Sequence, residues 1–496
     1  MNYEDYLIRN TNENKAVYFK IKDKFFLYSM KAGVFVEVKE PLYKALKDWD
    51  GKSHETLESV LSAEGIHINS KKLLENLFFS PLSDLGNKSA FNIEKNRPSN
   101  FWILVTDACN LKCTYCYHNE EGKKKWNTNM SKETAEKAVD LFFSKYAADY
   151  VVVNFFGGEP LLNFSLIEEI VPYIIEKSKQ FNKEIQFTIS TNGVFVTHEI
   201  AKFFKRYNFF VTVSIDGGEE QHNKTRKLLN GEGSFRKVRE GVNILGQHME
   251  YLGARMTVTK ENVGYLNESF EQLFSMGFDS VAYKLAGACD DSFVISMADV
   301  EIFEREIKKI AATFKRRLMR GDIKVADRIL QWIKKINKRP LKSECPFATN
   351  GKIVVDPLGH FYGCQEAVGN FSFIVGDIYN GIDNDKIRSL APPLIHNRKG
   401  CKNCWMNELC DGMCYYAGYV KYGHFNTHVE ESCIEIQKSF LESLFLYGEL
   451  YIENKEYLNQ IIKCQYTDVD KLREYVLANP SFFKLQENSA FTGGVL

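Results

Sequence analysis

The stretch Thr106-Asp107-Ala108-Cys109-Asn110-Leu111-Lys112-Cys113-Thr114-Tyr115-Cys116-Tyr117 decides the reading of this 496-residue chain. Its C-x3-C-x2-C spacing gathers three thiolates in one tight loop, enough to hold three irons of a [4Fe-4S] cluster and leave the fourth iron without a protein ligand. An open metal position is a reactive one, as it is in catalytic zinc sites. Structural zinc asks for four ligands; Cys109, Cys113 and Cys116 supply three, with His118 a fourth only if the loop turns back sharply. A disulfide is disfavoured because the segment from Met1 to Arg9 lacks the basic and apolar regions of a signal peptide, which makes a cytoplasmic, reducing compartment the expectation.

From Phe101 onward, short β-rich runs alternate with longer helical ones. The candidate strands are Trp102 to Thr106, Val151 to Phe156, Ile185 to Ser190, Phe210 to Ile215, Ala254 to Thr259 and Ser280 to Leu285. Each precedes an amphipathic stretch such as Thr134 to Tyr146, with apolar residues at Ala138, Leu141 and Phe142. Six such units argue for an α/β fold with a parallel sheet wrapped by helices. In barrels of this kind the chemistry sits at the C-terminal ends of the strands. The cysteine triplet follows the first strand and Gly157-Gly158-Glu159-Pro160 the second, while Ser190-Thr191-Asn192-Gly193 ends the third and Ser214-Ile215-Asp216-Gly217 the fourth.

The first hundred residues are a different object. Ala16 to Ile21, Lys24 to Tyr28 and Val34 to Val38 alternate like strands. Helical patterns follow at Pro41 to Trp49, His54 to Glu64 and Ser70 to Ser83, with Asn69 and Ser70 as candidate caps of the last. The expected unit is a β3α3 winged-helix module over 1–95. The division beyond it is a partial barrel over 96–310, a helical bridge over 311–340, a cysteine-rich domain over 341–450 and a helical tail over 451–496.

The cysteine-rich block reads Cys345-x13-Gly359-x4-Cys364, then Cys401-x2-Cys404-x5-Cys410-x3-Cys414, then Cys433. By itself C-x2-C-x5-C-x3-C suits a four-thiolate zinc as well as iron and sulfur. With 64 basic and 64 acidic residues, the chain has no charge excess to favour nucleic acid or an anionic membrane. No apolar run approaches the roughly 18 to 20 residues that span a bilayer. The twelve cysteines point to metal rather than disulfides.

The triplet, with aromatic Tyr115 before its third cysteine, resembles the signature of the radical S-adenosylmethionine (radical SAM) superfamily, and the second block resembles its SPASM extension. The resemblance implies a partial (β/α)6 barrel, S-adenosyl-L-methionine chelated by the open iron, and a 5′-deoxyadenosyl radical formed by reductive cleavage. It implies that Gly157, Gly158 and Glu159 meet the amino end of S-adenosylmethionine, two glycines admitting close approach. Ser190, Asn192, Ser214 and Asp216 offer groups for the ribose and carboxylate, and Arg226 a cation for that carboxylate. For Asn192 a turn role is an equal reading. It further implies two auxiliary [4Fe-4S] clusters, three in all: Cys401, Cys404, Cys410 and Cys433 closing one, and Cys345, Cys364 and Cys414 holding another one ligand short. Lys342, Ser343 and Glu344 carry no thiol, and Cys289 reads as a buried thiol, leaving a non-cysteine ligand or an open iron.

The N-terminal module resembles PqqD-like leader-recognition domains, and the whole arrangement resembles maturases of ribosomally made peptides of the sactipeptide or ranthipeptide type, which install thioethers or other crosslinks. The implied partners are a precursor peptide, its leader held on the small sheet's edge, and a reductant such as flavodoxin or ferredoxin. The competitor within the family is an anaerobic sulfatase-maturing, formylglycine-generating enzyme; these place an aspartate base where this chain has Gln365, with Glu366 next to it. A zinc-bearing interaction scaffold is the competitor from outside. No catalytic base is assigned.

Overall fold

The computed structural model describes residues 6–11, 14–49, 51, 54–78, 97–119, 123, 127–287, 292–322, 324–337 and 345–463. Cys289, residues 342–344, the end of the third expected helix and the tail from 464 onward lie outside the described residues.

The N-terminal unit holds four antiparallel strands in the order β1 (Tyr6–Asn10), β2 (Lys15–Ile21), β3 (Lys24–Ser29) and β4 (Val34–Val38), followed by α1 (Glu40–Asp48), α2 (His54–Ala63) and α3 (Ser70–Leu77). One strand more than expected is present, because Tyr6-Leu7-Ile8-Arg9-Asn10 lacks the clean alternation that marks its neighbours. Lys22 turns the β2–β3 hairpin at φ 56°. Asn69 caps α3 as expected, accepting from the Lys72 N–H at 2.8 Å.

The alternation of β2 buries both faces. Tyr18, with Leu27 of β3, packs on Leu46, Trp49, Leu57 and Leu74 of the three helices. Phe19 turns the other way, its ring 5.3 Å from that of Phe445 on α14 (Glu430–Lys463), while Phe35 of β4 lies 4.7 Å from Tyr447. The small sheet is thereby locked onto the C-terminal helix, each buried ring contributing about 1.5–3 kcal/mol.

The second sheet begins with six parallel strands in sequence order: β5 (Asn100–Thr106), β6 (Tyr150–Gly157), β7 (Glu184–Thr191), β8 (Phe210–Ser214), β9 (Leu252–Val258) and β10 (Ser280–Leu285). The helices between them are α4 (Lys132–Leu141), α5 (Phe164–Gln180), α6 (His198–Arg206), α7 (Glu219–Thr225), α8 (Phe235–Gly246) and α9 (Leu266–Ser275). A π-helical turn, Phe142–Tyr146, extends α4 and stacks Phe142 on Phe101 at 4.1 Å. α10 (Met297–Met319), β11 (Val325–Ala326) and α11 (Asp327–Asn337) follow, so α10 crosses the division expected at 310 and the bridge contains a strand.

The strands do not close on themselves. β11 adds parallel to β10, and on the far side β12 (Lys352–Val355) adds parallel to β5, continued antiparallel by β13 (His360–Tyr362), β14 (Gly376–Asp377) and β15 (Gly381–Ile382). The cysteine-rich unit thus extends the barrel sheet itself. Gly359 makes the β12–β13 turn at φ +88°, where a Cβ would stand 2.8 Å from Ile378 Cδ1. α12 (Asn384–Leu390), α13 (Tyr415–Tyr422) and α14 complete the described chain, α14 running through the division expected at 450.

Along β6 and β7 fully buried residues (Val153, Phe155, Ile189) face the helices, and half-buried ones (Asn154, Phe156, Thr188, Ser190) face inward. The same alternation puts Thr212 and Ser214 of β8, Arg255 of β9 and Lys284 of β10 on the inner face.

Candidate active site and metal centres

The cysteine loop leaves β5 over the sheet's C-terminal rim and is pinned on both sides. Asp107 Oδ1 accepts from the Thr128 N–H at 2.6 Å. Lys112 and Thr114 donate their N–H groups to the carbonyls of Lys227 and Thr225 at 2.7 and 3.0 Å. The Gly157-Gly158-Glu159 turn supplies the third clamp: Gly158 N–H donates to Thr106 at 3.0 Å and Glu159 N–H to Ala108 at 2.9 Å. A Cβ on Gly157 would meet Thr106 O at 2.3 Å, and on Gly158 Ala108 O at 2.2 Å. The double glycine therefore lets one protein loop approach another at this rim.

Glu159 is buried at 1% exposure and its carboxylate is taken up by protein donors. It accepts from Asn192 N–H at 2.7 Å, Thr191 Oγ1 at 2.7 Å and Leu161 N–H at 3.1 Å. Burial raises its pKa to about 7 against the lowering effect of those bonds. Asn192, in turn, donates to Asn110 Oδ1 at 2.7 Å and accepts from Val194 N–H at 3.0 Å, holding the middle of the cysteine loop and its own turn.

Asp216 is fully buried. Its carboxylate accepts from Tyr115 Oη, Thr225 Oγ1, Arg226 Nε (2.9 Å) and Thr257 N–H (2.8 Å). Arg226 Nη1 lies 4.0 Å from Cys113 Sγ, and the guanidinium stands over the Tyr115 ring at 5.4 Å. Asp216 and Arg226 form a buried pair that fixes Tyr115 and brings a positive charge to Cys113. Burial raises the Cys113 pKa to about 12, and Arg226 opposes that rise. Ser190 and Ser214 stand on the inner face at the rim.

The C-terminal cysteines sort into two neighbourhoods. Cys401, Cys404 and Cys410 each act on Cys433, whose thiol is raised by burial first and by these neighbours second. N–H groups of Met406 and Gly412 point at Cys404 and Cys410, each 3.4 Å from sulfur. The second neighbourhood joins Cys345, Cys364 and Cys414, with Ala417 N–H 3.4 Å from Cys414 Sγ. Such N–H···S contacts are the means by which a protein tunes bound iron–sulfur clusters. Among the described residues no three His, Cys, Asp or Glu side chains are gathered as a single metal ion would gather them. With Leu111 N–H likewise 3.4 Å from Cys109 Sγ, the three sets of thiols and their N–H donors fit the ligand chemistry of iron–sulfur clusters in type.

Between this second neighbourhood and the barrel lies Glu366, which sequence reasoning named only as the neighbour of Gln365. It is buried at 7% exposure, it bonds Lys284 of the inner barrel face, and its Oε2 is 3.4 Å from Cys414 Sγ. Gln365 accepts from Lys352 Nζ at 2.8 Å. No spacing rule in the sequence links Glu366 to Lys284, 82 residues away.

Comparison with known proteins places this geometry. The Radical SAM superfamily pattern matches residues 103–273. An uncharacterized protein of Methanocaldococcus jannaschii is 30% identical over 299 residues, covering 60% of this chain and 93% of that protein. The radical SAM cyclopropyl synthase TigE of Paramaledivibacter caminithermalis is 22% identical, covering 69% of this chain and 73% of its own. The serine-type anaerobic sulfatase-maturating enzyme of Bacteroides thetaiotaomicron is 34% identical over 32% of this chain and 39% of that enzyme. Among solved structures, anSMEcpe with bound AdoMet and Cp18Cys peptide superposes with a TM-score of 0.58 at 21% identity, covering 71% of this chain and 99% of that one. The fold is the α/β barrel shared with that structure. The chain belongs to the radical SAM superfamily and is similar to its peptide-modifying and sulfatase-maturating members.

Proposed function

We propose that this enzyme modifies a ribosomally made precursor peptide, installing a thioether from a cysteine sulfur to carbon or another crosslink. Cys109, Cys113 and Cys116 hold the radical SAM cluster; Cys401, Cys404, Cys410 and Cys433 hold one auxiliary [4Fe-4S] cluster, and Cys345, Cys364 and Cys414 the other. When bound, cluster and S-adenosylmethionine together supply a 5′-deoxyadenosyl radical at the expense of an electron from a reductant such as flavodoxin or ferredoxin.

The chain's own residues position and shield. Gly157, Gly158, Glu159 and Asn192 clamp the cysteine loop, so that main chain at this rim meets the amino end of the ligand. Tyr115, Asp216 and Arg226 fix the far side of the loop, and Ser190 and Ser214 offer hydroxyls from the inner face. The first 95 residues receive the leader, added as a strand to β1 or β4, the two edges of the small sheet.

The observation that carries the reading is the Lys284–Glu366 pair, which joins the inner barrel face to the Cys345, Cys364 and Cys414 neighbourhood. A substrate side chain in the barrel would lie between two metal centres. The test is anaerobic turnover with a short cysteine-rich precursor peptide, run beside a sulfatase peptide. Loss of two hydrogen atoms from the peptide with no aldehyde supports the thioether; an unmodified peptide alongside turnover of a sulfatase peptide rejects it.

Sulfatase maturation is the second reading, favoured by the 34% identity over 165 residues with the Bacteroides enzyme. It predicts a hydrazide-reactive aldehyde on a sulfatase peptide. In the structure no helix among the described residues is long and apolar enough to cross a membrane.

A further inference from the structure

One buried carboxylate stands against a thiol at the junction of barrel and cysteine-rich unit. Glu366 sits on a single 3₁₀ turn, Gln365–Ala367, that starts from Cys364. Its Oε2 stands 3.4 Å from Cys414 Sγ, and Cys345 and Cys364 pack against the same cluster of buried side chains as Cys414. No thiol is available from residues 342–344.

A buried carboxylate is costly to hold unless cations and hydrogen bonds compensate it. Here Lys284 bonds Oε1, Lys123 donates to the Glu366 carbonyl, and Lys352 bonds Gln365, the residue between Cys364 and Glu366, at 2.8 Å. Three cations thus offset much of the charge of a site that is to hold three thiolates and a carboxylate together. Carboxylate oxygen is an accepted ligand of protein-bound iron.

We propose that Glu366 is the fourth ligand of the auxiliary cluster held by Cys345, Cys364 and Cys414, binding through Oε2 while Oε1 stays on Lys284. The inference rests on the auxiliary-cluster reading given above and assigns the position that reading left open. The cluster is then closed to substrate sulfur until the carboxylate is displaced, and Lys284 is the group that receives a displaced carboxylate.

The experiment uses the full chain carrying Cys109→Ala, Cys113→Ala and Cys116→Ala, so that only the two auxiliary clusters remain, at about eight irons per chain. After anaerobic reconstitution, mild ferricyanide oxidation is followed by EPR, since a cluster with an unliganded iron loses it and gives a [3Fe-4S] signal. The expected result is no such signal in this parent, a strong signal with Glu366→Gln added, and its suppression with Glu366→Cys. Cyanide, added to the reduced protein, should shift the EPR spectrum of the Glu366→Gln chain and not that of the parent. A cyanide shift or a [3Fe-4S] signal in the parent means the iron is open already and overturns the proposal, whether or not the variants fold. Failure of the underlying reading has a different appearance: a parent that takes up no iron.

Discussion

Gly158 lies against Ala108 so closely that a Cβ would stand 2.2 Å from the Ala108 carbonyl oxygen. Glu159 donates its N–H to that same oxygen at 2.9 Å. Two motifs roughly fifty residues apart in sequence are one mechanical unit, and the position of the cysteine loop depends on a missing side chain. Gly158→Ala should displace the loop at a cost of about 1–3 kcal/mol and lower iron by about four per chain while the C-terminal clusters fill normally. Iron and sulfide analysis checks this; full iron content in the variant would show the clamp to be dispensable.

The Asp216–Arg226 pair should be unforgiving of single changes. Both groups are buried, and removing one partner leaves the other charge uncompensated, at a cost of about 3–5 kcal/mol. Asp216→Leu should therefore lower the unfolding free energy of the cluster-free protein, read from urea melts, by that much, with Arg226→Met similar. The double variant should recover part of the loss, and purely additive losses would mean that the two residues act independently.

Stability should also depend on His222. It is fully buried, held neutral with its pKa pushed down to about 3 by burial, and it accepts from Asp216 N–H while its Nε2 faces Ser234 Oγ at 2.8 Å. Its folded pKa lies below the ordinary value of 6.5, so the unfolded chain takes up a proton first as pH falls. The contribution is complete above pH 6.5 and is lost progressively toward about pH 3. The stability gap between the cluster-free parent and His222→Gln should narrow over that window, and a constant gap would exclude the neutral-histidine account.

The docking of the small sheet gives a fourth expectation. Phe19 is 1% exposed and meets Phe445 edge-on. Phe19→Ala should cost about 3–5 kcal/mol and release the N-terminal unit to proteolysis ahead of the barrel. Simultaneous digestion of both would show the two to unfold together.

Much of this was legible in the sequence because it rests on local pattern. The six barrel strands read correctly from β-branched runs such as Val151-Val152-Val153, with Ser280–Leu285 matching at both ends. What escaped was set by distant contacts. β12 through β15 are two to four residues long and become strands because β5 offers a free edge, which no window over Lys352–Val355 reveals. The motif residues were found, but not their protein partners: nothing local shows that Asn192 bonds the Glu159 carboxylate, or that Thr225 and Thr257 bond that of Asp216. Glu366 stands out in the sequence only as the neighbour of Gln365; its link to Lys284 and Cys414 is set by the fold.

The central claim is that three sulfurs in one loop hold an iron left free for S-adenosylmethionine. Its most direct test is iron content and 5′-deoxyadenosine formation by the anaerobically reconstituted full chain under a strong reductant. The account predicts about twelve irons per chain and cleavage that disappears with Cys109→Ala, Cys113→Ala and Cys116→Ala while about eight irons remain. A colourless protein holding zinc, or undiminished cleavage in the triple variant, would contradict it.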